Sequence, residues 1–200
     1  MKRIALNFAL VGALLMSASC SKDADHSAEA NNDKDSKEIA KDANEAKFDD
    51  SNLEDDAQWA VKAAEGGLWE VKLAELALTK SGSPKVKELA KHIKDDHTKA
   101  NDELKELAAK KNITLPTSLS EKKQEKYDDF AKKTGSEFDK DYVENMVKDH
   151  KDDISLFKKE GENGKDPDVR SWASGKLSTL EHHLQMAEAA ETAVKKADKK

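Results

Sequence analysis

His97, His150 and His183 each stand where a helical run of apolar residues would put an aliphatic side chain. In "DDHTKANDELKELAAKKNITLP" (residues 95–116), His97 falls in line with Val86, Ala90, Ile93, Ala100, Leu104 and Leu107 at 4-3-4-3 spacing. His150 does the same with Val143, Val147, Ile154 and Phe157. His183 joins Val169, Ala173, Leu180, Ala187, Ala190 and Val194, with Lys176 as the exception. Neutral imidazoles, with a carboxylate such as Glu70, are ligands for zinc or iron. A core histidine can instead satisfy its ring nitrogens with a nearby carboxylate, amide or carbonyl. Asp96, Asn101, Asp149 and Glu181 are close enough in sequence to supply that second set of contacts. The paired Glu-x-x-His of di-iron bundles is absent, because Lys94, Val147 and Leu180 occupy the preceding positions. His92 lies off the stripes, and His182 borders one. Trp59, Trp69 and Trp172 fall at or beside buried faces, where packing is the default role.

Four helices must position these groups. The expected starts are a capping box at Ser51 and Glu54, Ser83 followed by Pro84, Thr134 with Glu137, and Asp166 followed by Pro167. The first helix ends at Thr79, the second at "KKNITLP" and the third at Glu160. The fourth runs towards Ala197. A short extra helix is expected in "EKKQEKYDDFAKK", and no strand pattern competes. The first helix carries two adjacent stripes, one through Ala57, Val61, Leu68 and Glu75, the other through Ala60, Ala63, Gly67 and Glu70. These elements predict an all-α fold, an antiparallel four-helix bundle over residues 51–197, with the 112–135 link crossing it as in one-crossover ferritin-like folds. Depth was counted from an end taken to hold both the 80–83 and the 161–166 turns. Glu70 then lies about 15 Å in, His97 about 21 Å, His150 about 17 Å and His183 about 24 Å.

The N-terminus concerns address. "MKRIALNFALVGALLMSASC" has a basic start, an apolar run and small residues, the pattern of a secretory signal over residues 1–19. Cys20, the one cysteine, ends it, and "SASC" resembles a lipobox with Ser17 where leucine is usual. The expectation is a lipoprotein anchored to a membrane through Cys20, periplasmic or on the outer membrane. Cleavage after Ser19 to release a soluble periplasmic protein is the alternative. Residues 20–50 hold few groups to bury, so a disordered acidic tether with a reach of about 30 Å is expected. Net charge is −6 over 200 residues, which argues against a nucleic-acid partner. No glycine-rich phosphate loop, GxSxG elbow or CxxC pair appears, and no complete catalytic set is present.

The 95–116 segment, with "AVKAAEGGLWEVKLAELAL", "FDKDYVENMVKDHKDDISLFKKE" and "LSTLEHHLQMAE", resembles domain of unknown function 4142 over about residues 55–190. Members of that bacterial family are exported, often labelled as membrane proteins, and assigned a ferritin-like fold. The resemblance implies functional positions at Glu70, Asp96, His97, Asn101, Phe138, Tyr142, His150 and His183. Glu75 matches no family position, which favours Glu70 on the first helix. Two functions remain open. One is an envelope binding or structural lipoprotein contacting an unknown envelope protein. The other is a ferritin-like protein holding one zinc or iron ion through Glu70, His97, His150 and His183.

Overall fold

The computed structural model describes residues 35–48 and 53–198. They form six α-helices and no strand: α1 (Ser36–Phe48), α2 (Glu54–Lys80), α3 (Pro84–Lys110), α4 (Glu121–Lys132), α5 (Gly135–Asn163) and α6 (Pro167–Ala197). The expected signal stretch, Cys20 and the expected cap at Ser51 lie outside the described residues. Among the described residues, no helix is long and apolar enough to cross a membrane.

Local chemistry explains several helix ends. The Ser83 hydroxyl accepts from the Val86 amide at 3.4 Å, with Pro84 in the first position. Asp166 accepts from the amides of Asp168 (2.9 Å) and Val169 (3.2 Å), ahead of the helix that opens on Pro167. Thr134 departs from expectation, since its side chain makes no capping bond. The chain enters α5 instead through Gly135 at φ +59, a left-handed conformation that suits glycine. The C-terminus of α3 is a Schellman turn. Asn112 adopts φ 58, and the amides of Ile113 and Asn112 bond the carbonyls of Ala108 (2.9 Å) and Ala109 (3.3 Å). Helix α5 runs to Asn163, three residues beyond the expected end.

The disordered tether expected through residue 50 is overturned over Ser36–Phe48, which is helical and packs on α2. Its buried face is Ala40, Asn44 and Phe48, one residue per turn. Asn44 makes a reciprocal pair with Thr114, donating to its carbonyl at 2.9 Å and accepting from its amide at 2.7 Å. Composition underestimates such a segment, because a polar side chain with both groups bonded can be buried in place of an apolar one. Lys37 adds an ion pair with Glu65 at 2.7 Å.

Among the four long helices, α2 packs on α3, α3 on α6, α6 on α5 and α5 on α2, so the contacts close a ring. Asp56, near the start of α2, accepts from the amides of Lys165 (2.9 Å) and Asp166 (2.6 Å). Lys111, just past α3, pairs with Asp166 (2.7 Å) and Asp168 (2.6 Å). At the other end, Lys80 donates to the Lys133 carbonyl at 3.2 Å. The 80–83 and 164–166 turns therefore lie at opposite ends, not at a shared one. The 112–134 link carries the chain from one end to the other and delivers α5 antiparallel to α2. Recounted from the 80–83 end, Glu70 lies about 15 Å in, His97 about 20 Å, His150 about 22 Å and His183 about 21 Å. The corrected directions of α5 and α6 bring the three histidines closer to one level.

That level divides the core. Towards the 80–83 end lie Leu73, Val86, Ile93, Phe138, Met146 and Ala187. Towards the 164–166 end lie Trp59, Ala64, Leu104, Phe157, Val169 and Leu180. On α3, α5 and α6 the histidine sits between one residue of each cluster.

Candidate metal centre

The polar layer is assembled at a close approach of α2 and α3. A Cβ on Gly67 would collide with the Asn101 carboxamide, so the glycine is what makes room for that group between the two helices. One turn further along α2, Glu70 is buried against His97 and His150, with His183 completing the group. Ring centroids are 5.7 Å apart for His97–His150, 5.4 Å for His97–His183 and 5.3 Å for His150–His183. One nitrogen from each of the three lies within 4.8 Å of the others.

Two of the rings have one nitrogen hydrogen-bonded from outside the group, and the third lies against Glu70. His150 Nδ1 is 3.0 Å from the Met146 carbonyl, which can only accept, so Nδ1 carries the hydrogen. His183 Nε2 donates to Asp96 Oδ2 at 2.9 Å. His97 Nδ1 lies 3.0 Å from Glu70 Oε2, and Glu70 Oε1 lies 3.3 Å from His150 Nδ1. These last two are charge contacts, since neither Glu70 oxygen is aligned for a hydrogen bond. The opposite nitrogens, His97 Nε2, His150 Nε2 and His183 Nδ1, are buried and have no hydrogen-bond partner. A core histidine satisfied at both ring nitrogens is not what these three are.

Electrostatics follow from that enclosure. Burial works to raise the Glu70 carboxyl, but the His97, His150 and His183 imidazoles outweigh it and hold it at about 2. Burial likewise opposes charge on His97. Glu70, backed by Asp153 and Asp96, nonetheless raises its pKa above the ordinary histidine value. His183 goes the other way, lowered to about 4 by burial and by its two histidine neighbours against the pull of Asp96. The Tyr142 hydroxyl is buried without a partner, and burial with the nearby Glu70 charge pushes its pKa well up. Burial and Glu70 also push Asp153 well above the carboxylate range.

The layer thus brings together Glu70, His97, His150, His183 and Asp96. Asn101 packs on Gly67 and lines the cavity beside the layer. Two expected supports do not reach the histidines. Asp149 accepts instead from Trp69 Nε1 (2.9 Å) and Asn145 Nδ2 (2.7 Å), and Glu181 is exposed. Trp69 faces Asp149 because α2 and α5 are antiparallel neighbours, which spacing alone does not reveal. His92 and His182 are exposed, their rings 6.2 Å apart. Lys176, the exception in the α6 stripe, turns outward to pair with Glu103, which also accepts from Trp172 Nε1 at 3.2 Å. Two participants were missed. The Met146 carbonyl has no side-chain signal, whereas Asp153, three residues after His150, could have been found from that spacing.

Fold and site define an all-helical protein with a buried layer of three histidines and a glutamate across its long helices. The chain belongs to the family described as Domain of unknown function (DUF4142), whose profile matches residues 22–190. No curated protein and no solved structure matches it.

Proposed function

We propose that this protein binds one divalent transition-metal ion, zinc or iron(II), through His97, His150 and His183. The observation that carries the reading is the set of three buried ring nitrogens, one per histidine, left without partners, while the other nitrogen is hydrogen-bonded in His150 and His183 and lies against Glu70 in His97. Leaving such groups unpaired costs about 1–3 kcal/mol each, and a shared cation removes all three deficits. The donor set fits, because neutral imidazoles suit zinc and iron. Outward hydrogen bonds to a carbonyl and a carboxylate are the usual means of orienting histidine ligands. Glu70, expected from the sequence to close the ligand shell, instead faces the Nδ1 atoms of His97 and His150. Its role in this reading is to balance the ion's charge and aim His97. The ion's chemistry here would be binding and storage, with no redox pair of carboxylate-bridged irons.

The ring of four long helices and the end-to-end 112–134 link support reading the domain as a ferritin-like four-helix bundle. The signal-like N-terminus and Cys20 support an exported lipoprotein, so the metal would be held in the envelope. Metal analysis of tag-free protein purified without chelators tests the proposal. About one zinc or iron per chain, or uptake of one zinc by metal-free protein in calorimetry, is the expected result. Protein that carries no metal and takes up none would sink it.

A further inference from the structure

The two faces of the histidine layer differ. On the side of the 80–83 turn, Ile93, Met146 and Ala187 pack one turn away and are fully buried. On the other side lies a partly open cavity of about 120 Å³. Glu70, His97 and Asp153 line its polar end, and Leu104, Phe157 and Trp172 its apolar end. Small residues border the space, with Ala63 and Ala100 among its walls.

We propose that this cavity is a ligand pocket serving the metal centre. It takes a small neutral nitrogen- or oxygen-donor molecule, head towards the ion and apolar body against Leu104, Phe157 and Trp172. The inference rests on the metal-binding reading and names what the bound ion would meet. Glu70 and His97, the latter with its unpartnered Nε2, belong both to the layer and to the cavity wall, so the two adjoin. The volume sets the size, since an apolar cavity of about 150 Å³ takes benzene and this one is slightly smaller. The charge sets the class. Glu70 and Asp96 line the space together with Lys99 and Lys176, and Lys176 is paired with Glu103. The buried Glu70 carboxylate, at the end that meets the histidine layer, favours a neutral ring over an anion there.

The test uses cobalt(II), whose visible bands report its ligands, on the full chain. Imidazole should shift the bands saturably, and acetate should do so at least about tenfold more weakly. Ala100→Leu, which adds bulk to the cavity wall and replaces no metal-binding group, should keep the cobalt bands and weaken imidazole by at least about tenfold. Leu104→Ala, which enlarges it, should admit benzimidazole that the wild type refuses. Cobalt bands that ignore imidazole, or that shift equally in Ala100→Leu, would overturn the pocket and leave the metal site standing. If Ala100→Leu does not fold, failure of Leu104→Ala to admit benzimidazole overturns it equally. No cobalt bands at all would overturn the pocket together with the metal reading.

Discussion

Asp96 and His183, 87 residues apart in the chain, meet at 2.9 Å across the packed pair α3 and α6. The bond fixes the proton on His183 Nε2 and leaves Nδ1 as the inward lone pair. Asp96→Ala should therefore lower zinc affinity by about 10- to 100-fold, the usual effect of removing a ligand's outer partner. A competition titration against a chromophoric chelator measures it. Unchanged affinity would mean that His183 is oriented by packing alone.

Zinc or iron(II) should raise the unfolding temperature, because an ion bound only by the native state stabilises it by mass action. At free ion 100 times the dissociation constant the gain is about 2.7 kcal/mol. His150→Ala should abolish most of that shift, while His92→Ala, on an exposed ring, should preserve it. A melting temperature indifferent to both metal and chelator would remove the site from consideration.

The adjacent glycines of α2 should respond with opposite sign. A Cβ at Gly67 collides with Asn101, whereas one at Gly66 meets only Asp153 Oδ1 at 3.9 Å. Gly67→Ala should destabilise by about 1–3 kcal/mol through forced repacking. Gly66→Ala should stabilise by up to about 1 kcal/mol through helix propensity. Denaturant midpoints decide, and equal effects would show that the Asn101 carboxamide swings aside without cost.

Burial and the neighbouring Asp56 raise the Glu160 carboxyl to about 7. A folded value above the unfolded 4.5 means that its contribution to stability is fully present below about pH 4.5 and is lost as pH rises through about 7. Glu160→Gln, which mimics the protonated form, should be neutral at pH 5. At pH 9 it should stabilise by about 1–2 kcal/mol, a figure reduced for solvent screening in the open pocket beside it. A substitution effect independent of pH would contradict the raised value.

Lipidation at Cys20 predicts that Cys20→Ala moves the protein from the membrane fraction to the soluble periplasm with its helical content intact. Wild-type protein recovered soluble, with an unmodified N-terminus, would exclude the anchor.

The helices were legible because their signals are local. Ser83 with Pro84 and Asp166 with Pro167 act within one turn, and the 3.6-residue period puts His97, His150 and His183 on buried faces whatever surrounds them. Relations between helices were not legible. The sequence did not say which end of the molecule receives the 164–166 turn, and so misplaced His150 along the axis until the Asp56 and Lys111 contacts set the direction of α5. It offered no sign that Asn44 would find Thr114, nor that Asp149 would be taken by Trp69 rather than by a histidine. Above all, it could name three histidines but not which nitrogen of each ring would be left bare. That choice depends on which helix faces which, and a rotation by one residue, about 100°, exchanges a carboxylate partner for a carbonyl or for none.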